Sequence, residues 1–135
     1  MTKKHVAVIM GGWSPERDIS LISGEGCAKA LEASNYQVSK IDAGRNLAEQ
    51  LQAVKPDVIF NALHGVGGED GVVQGLFELL EIPYTHSGVM ASALAMDKIK
   101  AKKIFAEAGL SVAPDMKVFA GDISNHPMTP PYVVK

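Results

Sequence analysis

The sequence predicts an α/β protein built on an open, doubly wound, mostly parallel sheet. Short continuous apolar runs, typical of strands buried on both faces, alternate with segments in which apolar residues recur at helical spacing. Two glycine-rich segments directly follow two of these runs. Since a doubly wound sheet binds ligands at the carboxyl ends of its strands, we expect a ligand site where these two segments lie.

The first predicted strand runs from His5 to Met10 and is bounded by Gly11 and Gly12. Ser14 then has the character of a helix cap, with Pro15 at the first helical position. The predicted helix carries an apolar stripe formed by Ile19, Ile22, Cys27, Ala30 and Leu31.

The alternation continues along the next forty residues. Strands are predicted at 37–41 and 57–63, and the chain is expected to return towards the sheet at 82–84. Two further amphipathic helices are predicted from apolar residues at helical spacing: Leu47, Leu51 and Val54 in one, and Val73, Leu76, Phe77 and Leu80 in the other.

The character of the chain changes at Asp97, where a lysine-rich helix begins that is expected to end at Gly109. A strand at 116–119, a loop at 121–131 and the start of another strand at 132–135 are predicted to follow. We therefore divide the chain into an amino-terminal domain, 1–96, and a linker with the beginning of a second domain, 97–135.

Composition narrows the class of protein. The chain is 47% hydrophobic and 21% charged, as expected of a globular domain with a core, and no apolar run approaches the roughly 20 residues of a membrane-crossing helix. A net charge of -2 does not give the excess of basic residues that is typical of proteins binding nucleic acid or an anionic membrane. Cys27 is the single cysteine and is assigned no chemistry. A cytoplasmic protein that binds a small molecule or a protein partner is predicted.

The segment after the first strand lacks the G-x-G-x-x-G pattern of a dinucleotide-binding loop, which disfavours a nicotinamide-dependent oxidoreductase on the same fold. It places Glu16 in the predicted first turn of a helix, where the helix dipole favours an ionised carboxylate suited to holding an ammonium group. A glutamate that merely stabilises the helix start fits the same pattern.

The second glycine-rich segment, residues 64–71, begins with His64 and follows a buried strand. It can offer backbone N–H groups and an imidazole to a ligand, although it lacks the Gly-Lys-Ser/Thr of a phosphate-binding Walker loop. A simple strand-to-helix connection with a structural histidine is the alternative. No spacing of His, Cys or carboxylates indicates a metal site, and the lysines after Asp97 would ordinarily form a solvated helix face.

Three ordered motifs together resemble the D-alanine:D-alanine ligases of the ATP-grasp family. They are Gly11-Gly12-x-Ser14-x-Glu16-Arg17-x-Ile19-Ser20, Leu63-His64-Gly65-x-Gly67-Gly68-Glu69-Asp70-Gly71-x-x-Gln74-Gly75, and Tyr84-Thr85-x-Ser87-Gly88-Val89-x-Ala91-Ser92-Ala93-x-x-Met96-Asp97-Lys98. The resemblance extends to the end of the chain, where residues 132–135 look like the family's lysine-bearing strand. It implies a Rossmann-like domain that precedes an ATP-grasp domain, of which only the beginning is present.

The resemblance also implies a reaction and roles for particular residues. In this family ATP phosphorylates the carboxylate of one D-alanine, and the amino group of a second D-alanine attacks the acylphosphate to give the dipeptide used in peptidoglycan. Glu16 would bind the ammonium of the first D-alanine, and His64 would help to orient it. The residues bordering the pocket would be Gly65, Gly67 and Gly68, and those reaching the ATP phosphates would be Lys98 and Lys135.

In the family, the Mg²⁺ ligands, the second-substrate site and most of the adenine pocket come later in the chain than residue 135. The resemblance therefore implies that ATP and Mg²⁺ serve the full-length enzyme, that 1–135 alone is inactive, and that the domain forms a homodimer. A ligase with a different second substrate, such as D-lactate, and a non-catalytic small-molecule-binding module remain open.

Overall fold

The computed structural model describes residues 3–119, 121 and 127–134. Three strands and five helices follow one another along the described chain. They are β1 (His5–Gly11), α1 (Arg17–Ala33), β2 (Gln37–Ala43), α2 (Leu47–Val54), β3 (Val58–Asn61), α3 (Val72–Leu79), α4 (Val89–Met96) and α5 (Lys98–Glu107).

The three strands form one parallel sheet with β1 in the centre, in the order β2-β1-β3. The register pairs Ile9 of β1 with Ile41 of β2 on one side and with Asn61 of β3 on the other. Tyr84 extends the sheet beyond β3 through a single parallel bridge to Ile59. Because the chain crosses from one side of β1 to the other between β2 and β3, the segments after β1 and β3 meet at a topological switch point.

Helices cover both faces of the sheet, since alternate residues of β1 enter two different apolar clusters. One cluster joins the sheet to α2 and α3, and its members include Ala7, Ile9, Leu51, Ile59 and Phe77. The other joins the sheet to α1, and it comprises Val6, Val8, Met10, Ala28 and Ala62. The predicted fold class, α/β with a parallel sheet covered on both faces, is confirmed.

The helix after β1 begins two residues later than predicted, at Arg17 instead of Pro15. Residues 14–16 form a turn, in which the Arg17 N–H donates to the Ser14 carbonyl over 3.1 Å. The Ser14 hydroxyl accepts the N–H of Glu16, so it caps this turn and not the helix itself. Glu16 consequently stands at the N-cap position.

The structure differs from the sequence prediction in the carboxyl-terminal segments and at helix α4. Residues 116–119 and 132–134 are not strands, because no described segment pairs with them and a strand requires a hydrogen-bonding partner. Lys135 and residues 122–126 of the predicted loop at 121–131 lie outside the described residues, and the described residues 121 and 127–131 form no helix or strand. Helix α4 had no counterpart in the sequence prediction.

The chain divides into two compact units, Met1–Met96 and Asp97–Lys135. In the second unit, Asp97 caps α5 by accepting the N–H of Lys100 over 3.1 Å, and Gly109 ends the helix with a φ of +78°. Within the described residues, no helix has both the length and the apolar character needed to cross a membrane.

Candidate functional site at the carboxyl ends of β1 and β3

Two loops lie side by side at the carboxyl edge of the sheet: the first loop, residues 12–16, follows β1, and the second loop, residues 62–71, follows β3. The Ser14 hydroxyl donates to the His64 carbonyl over 2.8 Å. The Glu16 carboxylate lies directly beside Gly65, where a Cβ would collide with it. The crevice between the loops has no room for a water molecule.

Ser20 fixes the strand ends from which both loops depart. Its side chain is fully buried, and its hydroxyl accepts the N–H of Gly11 at 2.9 Å and donates to the Ala62 carbonyl at 2.7 Å. One side chain of α1 thus satisfies main-chain groups at the ends of β1 and β3.

The second loop is held from beneath by two buried amides. The Gly68 carbonyl accepts hydrogen bonds from Asn61 at 3.0 Å and from Gln74 at 2.8 Å. Asn61 also accepts the N–H of Leu63 through its side-chain oxygen. These bonds fix the path of the loop between β3 and α3.

Carboxylates of the second loop occupy its own backbone donors. The Gly65 N–H donates to Glu69 Oε2 and the Gly67 N–H donates to Asp70 Oδ2, each at 2.7 Å. The Gly68 N–H donates to the Gly65 carbonyl. The expectation that this loop offers free N–H groups to a ligand is therefore wrong for these three glycines.

Glu16 presents an exposed carboxylate ahead of α1. Its main-chain N–H donates to the Ser14 hydroxyl at 3.1 Å, whereas its carboxylate has no hydrogen bond or ion pair to the described residues. The carboxylate can therefore accept hydrogen bonds from a cationic group.

His64 is half-buried, and its Nε2 lies 3.3 Å from the Ser23 hydroxyl of α1. It borders an open cavity of about 430 Å³ lined by residues of α1, β3, the second loop, α3 and α4, to which Gly68 also contributes. Glu16, Gly65 and Gly67 do not line this cavity. The structure therefore brings all five predicted residues of the two loops together, but it divides them between the interface of the loops and the cavity.

Arg17 ties the first loop to β2. Its guanidinium donates two hydrogen bonds of 2.6 Å to the carboxylate of Asp42 and one of 3.1 Å to the Gly12 carbonyl. The hydrogen bonds from Arg17 lower the pKa of Asp42, and the same bonds raise the pKa of Arg17. Arg17 thus compensates the negative charge that β2 places beside the first loop.

The structure describes one of the two predicted nucleotide-binding lysines. Lys98 is the exposed first residue of α5, in the second unit, and Lys135 lies outside the described residues. In the described part of the chain, no group of three or more His, Cys, Asp or Glu side chains could hold a metal ion.

Sequence reasoning did not foresee the hydrogen-bonding roles of the side chains that shape the site, although Ser14, Ser20 and Gln74 belong to the motifs that carry the resemblance. Ser14 was interpreted only as a helix cap, and the polar Asn61 inside an apolar run was the one signal for a buried hydrogen-bonding role. The motifs did not reveal what Ser20 and Gln74 bond to, because their partners Ala62 and Gly68 lie 42 and 6 residues away and only the folded chain brings them together.

A doubly wound sheet with a carboxylate and an imidazole on the loops at its carboxyl edge belongs to the class of α/β domains that ordinarily bind ligands at this edge. A family model described as "D-ala D-ala ligase N-terminus" matches residues 40–87. The chain corresponds to the amino-terminal part of the D-alanine–D-alanine ligase family, which confirms the resemblance seen in the motifs.

Individual relatives agree with this assignment. The D-alanine–D-alanine ligase B of Brucella suis biovar 1 is 62% identical over 100% of this chain and 44% of its own length. The D-alanine–D-alanine ligase of Parvibaculum lavamentivorans is 61% identical over 98% of this chain and 43% of its own. The chain thus spans less than half the length of these curated relatives.

Solved structures show the same fold. A D-alanine–D-alanine ligase from Bacillus anthracis, complexed with ATP, superposes with a TM-score of 0.73 and 36% identity, covering 81% of this chain and 36% of that one. The D-alanyl-alanine synthetase A of Vibrio cholerae gives a TM-score of 0.74 at 28% identity, covering 84% and 40%.

Proposed function

We propose that this chain is the amino-terminal, substrate-binding part of an ATP-dependent ligase that joins two D-alanines through a D-alanyl phosphate. The observation that carries the proposal is the exposed carboxylate of Glu16, which stands at the start of α1 beside Gly65 and has no partner within the described residues. The relatives named D-alanine–D-alanine ligase give the substrate.

In this proposal Glu16 binds the ammonium of the first D-alanine. An amino acid at neutral pH carries an ammonium with three N–H donors, and an ionised carboxylate accepts them in strong, charge-assisted hydrogen bonds. His64, whose main chain lies against the first loop, helps to orient the substrate. Gly65, Gly67 and Gly68 border the substrate and keep the loop backbone close to it.

The described residues do not by themselves fit an ATP–Mg²⁺ complex. They assemble no metal-ligand cluster, and the glycine amides of the second loop are already bonded to Glu69, Asp70 and Gly65. Lys98 and Lys135 are proposed to contact the nucleotide's phosphates as point charges. The Mg²⁺ ligands and the remaining nucleotide contacts are assigned to the part that the relatives carry in addition.

The proposal has consequences for the isolated chain. Residues 1–135 alone hold one wall of the site and turn nothing over. In the cell, the complete enzyme works in the cytoplasm as a homodimer, and its dipeptide product enters peptidoglycan synthesis. The alternative of a non-catalytic binding module is supported by the cavity of about 430 Å³ beside His64, which the first unit forms on its own.

The proposal is tested with Glu16→Gln in the full-length ligase that carries this chain. Loss of the carboxylate charge is expected to lower kcat/KM for D-alanine on the order of 100-fold, as for truncation of one partner of a desolvated charge pair. Asp18→Asn is the matched control, because Asp18 is also an exposed acid in the first turn of α1. Equal activity of the two variants in D-alanine-dependent ADP release contradicts the proposed role.

Titration of 1–135 with D-alanine separates the ligase from the binding module. A part of a ligase binds D-alanine weakly or not at all, because the opposing wall is missing. Tight binding by the 135-residue chain, measured by calorimetry, supports the module instead.

A further inference from the structure

We infer that Ser14 is a positioning residue of the site: its single hydroxyl fixes the backbone of Glu16 against the backbone of His64, so that the two loops form one preorganised binding surface. The inference rests on the proposed function, since it concerns how Glu16 and His64 are held for D-alanine. It assigns a role to a residue that does not itself contact the substrate.

The geometry of the Ser14 hydroxyl supports both bonds at once. Its proton is donated to the His64 carbonyl over 2.8 Å, and its oxygen accepts the Glu16 N–H over 3.1 Å. A serine hydroxyl has one proton to donate and two lone pairs to accept with, so neither bond competes with the other. One side chain therefore links two main-chain positions that are 48 residues apart in sequence, since 64 − 16 = 48.

Nothing else in the described part of the chain makes the same connection. No other hydrogen bond between described residues joins the first loop, 12–16, to the second loop, 62–71. Trp13 packs against Gly67 and Glu16 lies beside Gly65. These are van der Waals contacts, which do not orient the main chain as a hydrogen bond does. Ser14 supplies the directional link.

Burial makes the link difficult for solvent to replace. Ser14 is 8% exposed, and both of its hydrogen bonds are partly buried. If the hydroxyl is removed, the His64 carbonyl and the Glu16 N–H lose their partner in a place that water reaches poorly. The loops are then expected to shift to recover hydrogen bonds, which moves the Glu16 carboxylate away from its position over Gly65.

The neighbouring glycine agrees with this role. A Cβ at Gly65 would lie 3.2 Å from the Ser14 hydroxyl oxygen, and Gly65 has a φ of +68°. The absence of a side chain at Gly65 is what lets the second loop approach Ser14 closely enough for the bond to form. The bond and the glycine are parts of one arrangement.

The test compares Ser14→Ala with Ser14→Thr and Ser39→Ala in the full-length ligase. Ser39 contacts the imidazole of His5 at 2.9 Å near the opposite end of the sheet, so its loss removes a similar hydrogen bond far from the loops. We expect Ser14→Ala to raise the KM for the first D-alanine about 10-fold, because misplaced groups bind less well, with kcat and the KM for ATP changed less than about 3-fold. Ser14→Thr, which keeps the hydroxyl, restores most of the KM, and Ser39→Ala leaves it unchanged.

A second measurement reads the hydrogen bond directly in the 135-residue chain and does not depend on activity. Amide hydrogen exchange of Glu16 is expected to be at least about 10-fold faster in Ser14→Ala than in wild type, and unchanged in Ser39→Ala. Unaltered exchange at Glu16 overturns the inference at its structural step.

The kinetic outcomes distinguish the two hypotheses. A wild-type ligase without D-alanine-dependent ADP release overturns the proposed function and, with it, the positioning role. An active wild type in which Ser14→Ala and Ser39→Ala behave alike overturns the positioning role alone. If Ser14→Ala lowers kcat and raises the KM values for D-alanine and ATP to a similar extent, and Ser14→Thr does not restore them, the variant is generally unstable. That result also contradicts the inference.

Discussion

The indole ring of Trp13 lies against the main chain of Gly67, so closely that a Cβ at Gly67 would stand 2.5 Å from Cζ2 of the ring. The guanidinium of Arg45 also covers the ring, with its Cζ 4.5 Å from the ring centroid. The two loops at the sheet edge are therefore packed into one body, with Trp13 at the centre of the contact.

Gly67→Ala is predicted to destabilise the chain. Gly67 has a φ of +87°, which costs an alanine about 1–2 kcal/mol. Displacing the ring of Trp13 adds a similar amount, so the free energy of unfolding in urea should fall by about 3 kcal/mol. Gly75→Ala is the control: Gly75 lies inside α3 with open space around it, and alanine there should raise stability by up to about 1 kcal/mol. Similar effects of the two substitutions contradict the prediction.

The ion pair between Arg17 and Asp42 predicts a pH dependence of stability. Because the folded state lowers the pKa of Asp42 below its ordinary value of 3.8, the pair stabilises the fold above that pH and loses its contribution as the pH falls through the lower, folded pKa. Asp42→Asn should therefore reduce stability at neutral pH and flatten the decline below about pH 4. Thermal unfolding from pH 7 to pH 2 measures this, and Glu49→Gln, an exposed acid with no ion pair among the described residues, should leave the profile shape unchanged.

Because N–H groups of the second loop donate to the loop's own carboxylates, Asp70→Ala is predicted to destabilise the fold. Asp70 accepts the N–H groups of Gly67 and Val72 at 2.7 and 3.1 Å, and alanine would leave both without that partner. A loss of about 2 kcal/mol in the free energy of unfolding is expected, since hydrogen bonds to a charged group contribute about 1.5–3 kcal/mol. Glu32→Ala, which removes an exposed acid of α1, should change stability by less than about 0.5 kcal/mol. An Asp70→Ala variant as stable as wild type would show that the loop does not need these bonds.

The core under α3 predicts a contrast between two positions of the same helix. Phe77 is fully buried and its ring centroid lies 5.4 Å from that of Tyr84, whereas Leu79 is 84% exposed. Phe77→Ala should lower the free energy of unfolding by about 3–5 kcal/mol, and Leu79→Ala by less than about 0.5 kcal/mol. Urea denaturation followed by circular dichroism compares them. A small effect at Phe77 would contradict the placement of α3 on the sheet.

The strands and most helices could be predicted because each has a local signal. β1 and β3 are apolar runs, and α3 has its apolar residues on one face. Helix α4 was missed because seven of the eight residues in its sequence, VMASALAM, are apolar, which leaves no polar face to reveal a helical period. The predicted strand at 116–119 failed for the opposite reason: its local pattern is that of a strand, but pairing depends on a partner that the described chain does not supply.

The site could be predicted only in part. Strand ends, which can be predicted from sequence, indicated the two loops that hold Glu16 and His64, but only the resemblance to the ligase motifs selected these two residues. The bond from Ser14 to His64 could not be predicted, because it joins residues 50 positions apart through the register of the sheet. The bonding of Glu69 and Asp70 to the loop's own amides requires the left-handed turns at Gly65 and Gly67, which a glycine permits but does not dictate.

Glu69 and Asp70, which accept N–H groups of the second loop, also add negative charge to this edge of the sheet. Glu69 and Asp70 stand in the loop that abuts Glu16. The charge of Arg17 is paired with Asp42, so these three carboxylates outnumber the other arginine at the loops, Arg45, and their net field is negative. A zwitterion has lower energy in such a field when its ammonium points inward and its carboxylate points outward, before any specific contact forms. The carboxylate, which is the group that the proposed reaction phosphorylates, is thereby turned away from the sheet. The same negative field of the loops repels a phosphate that approaches from the side of the sheet.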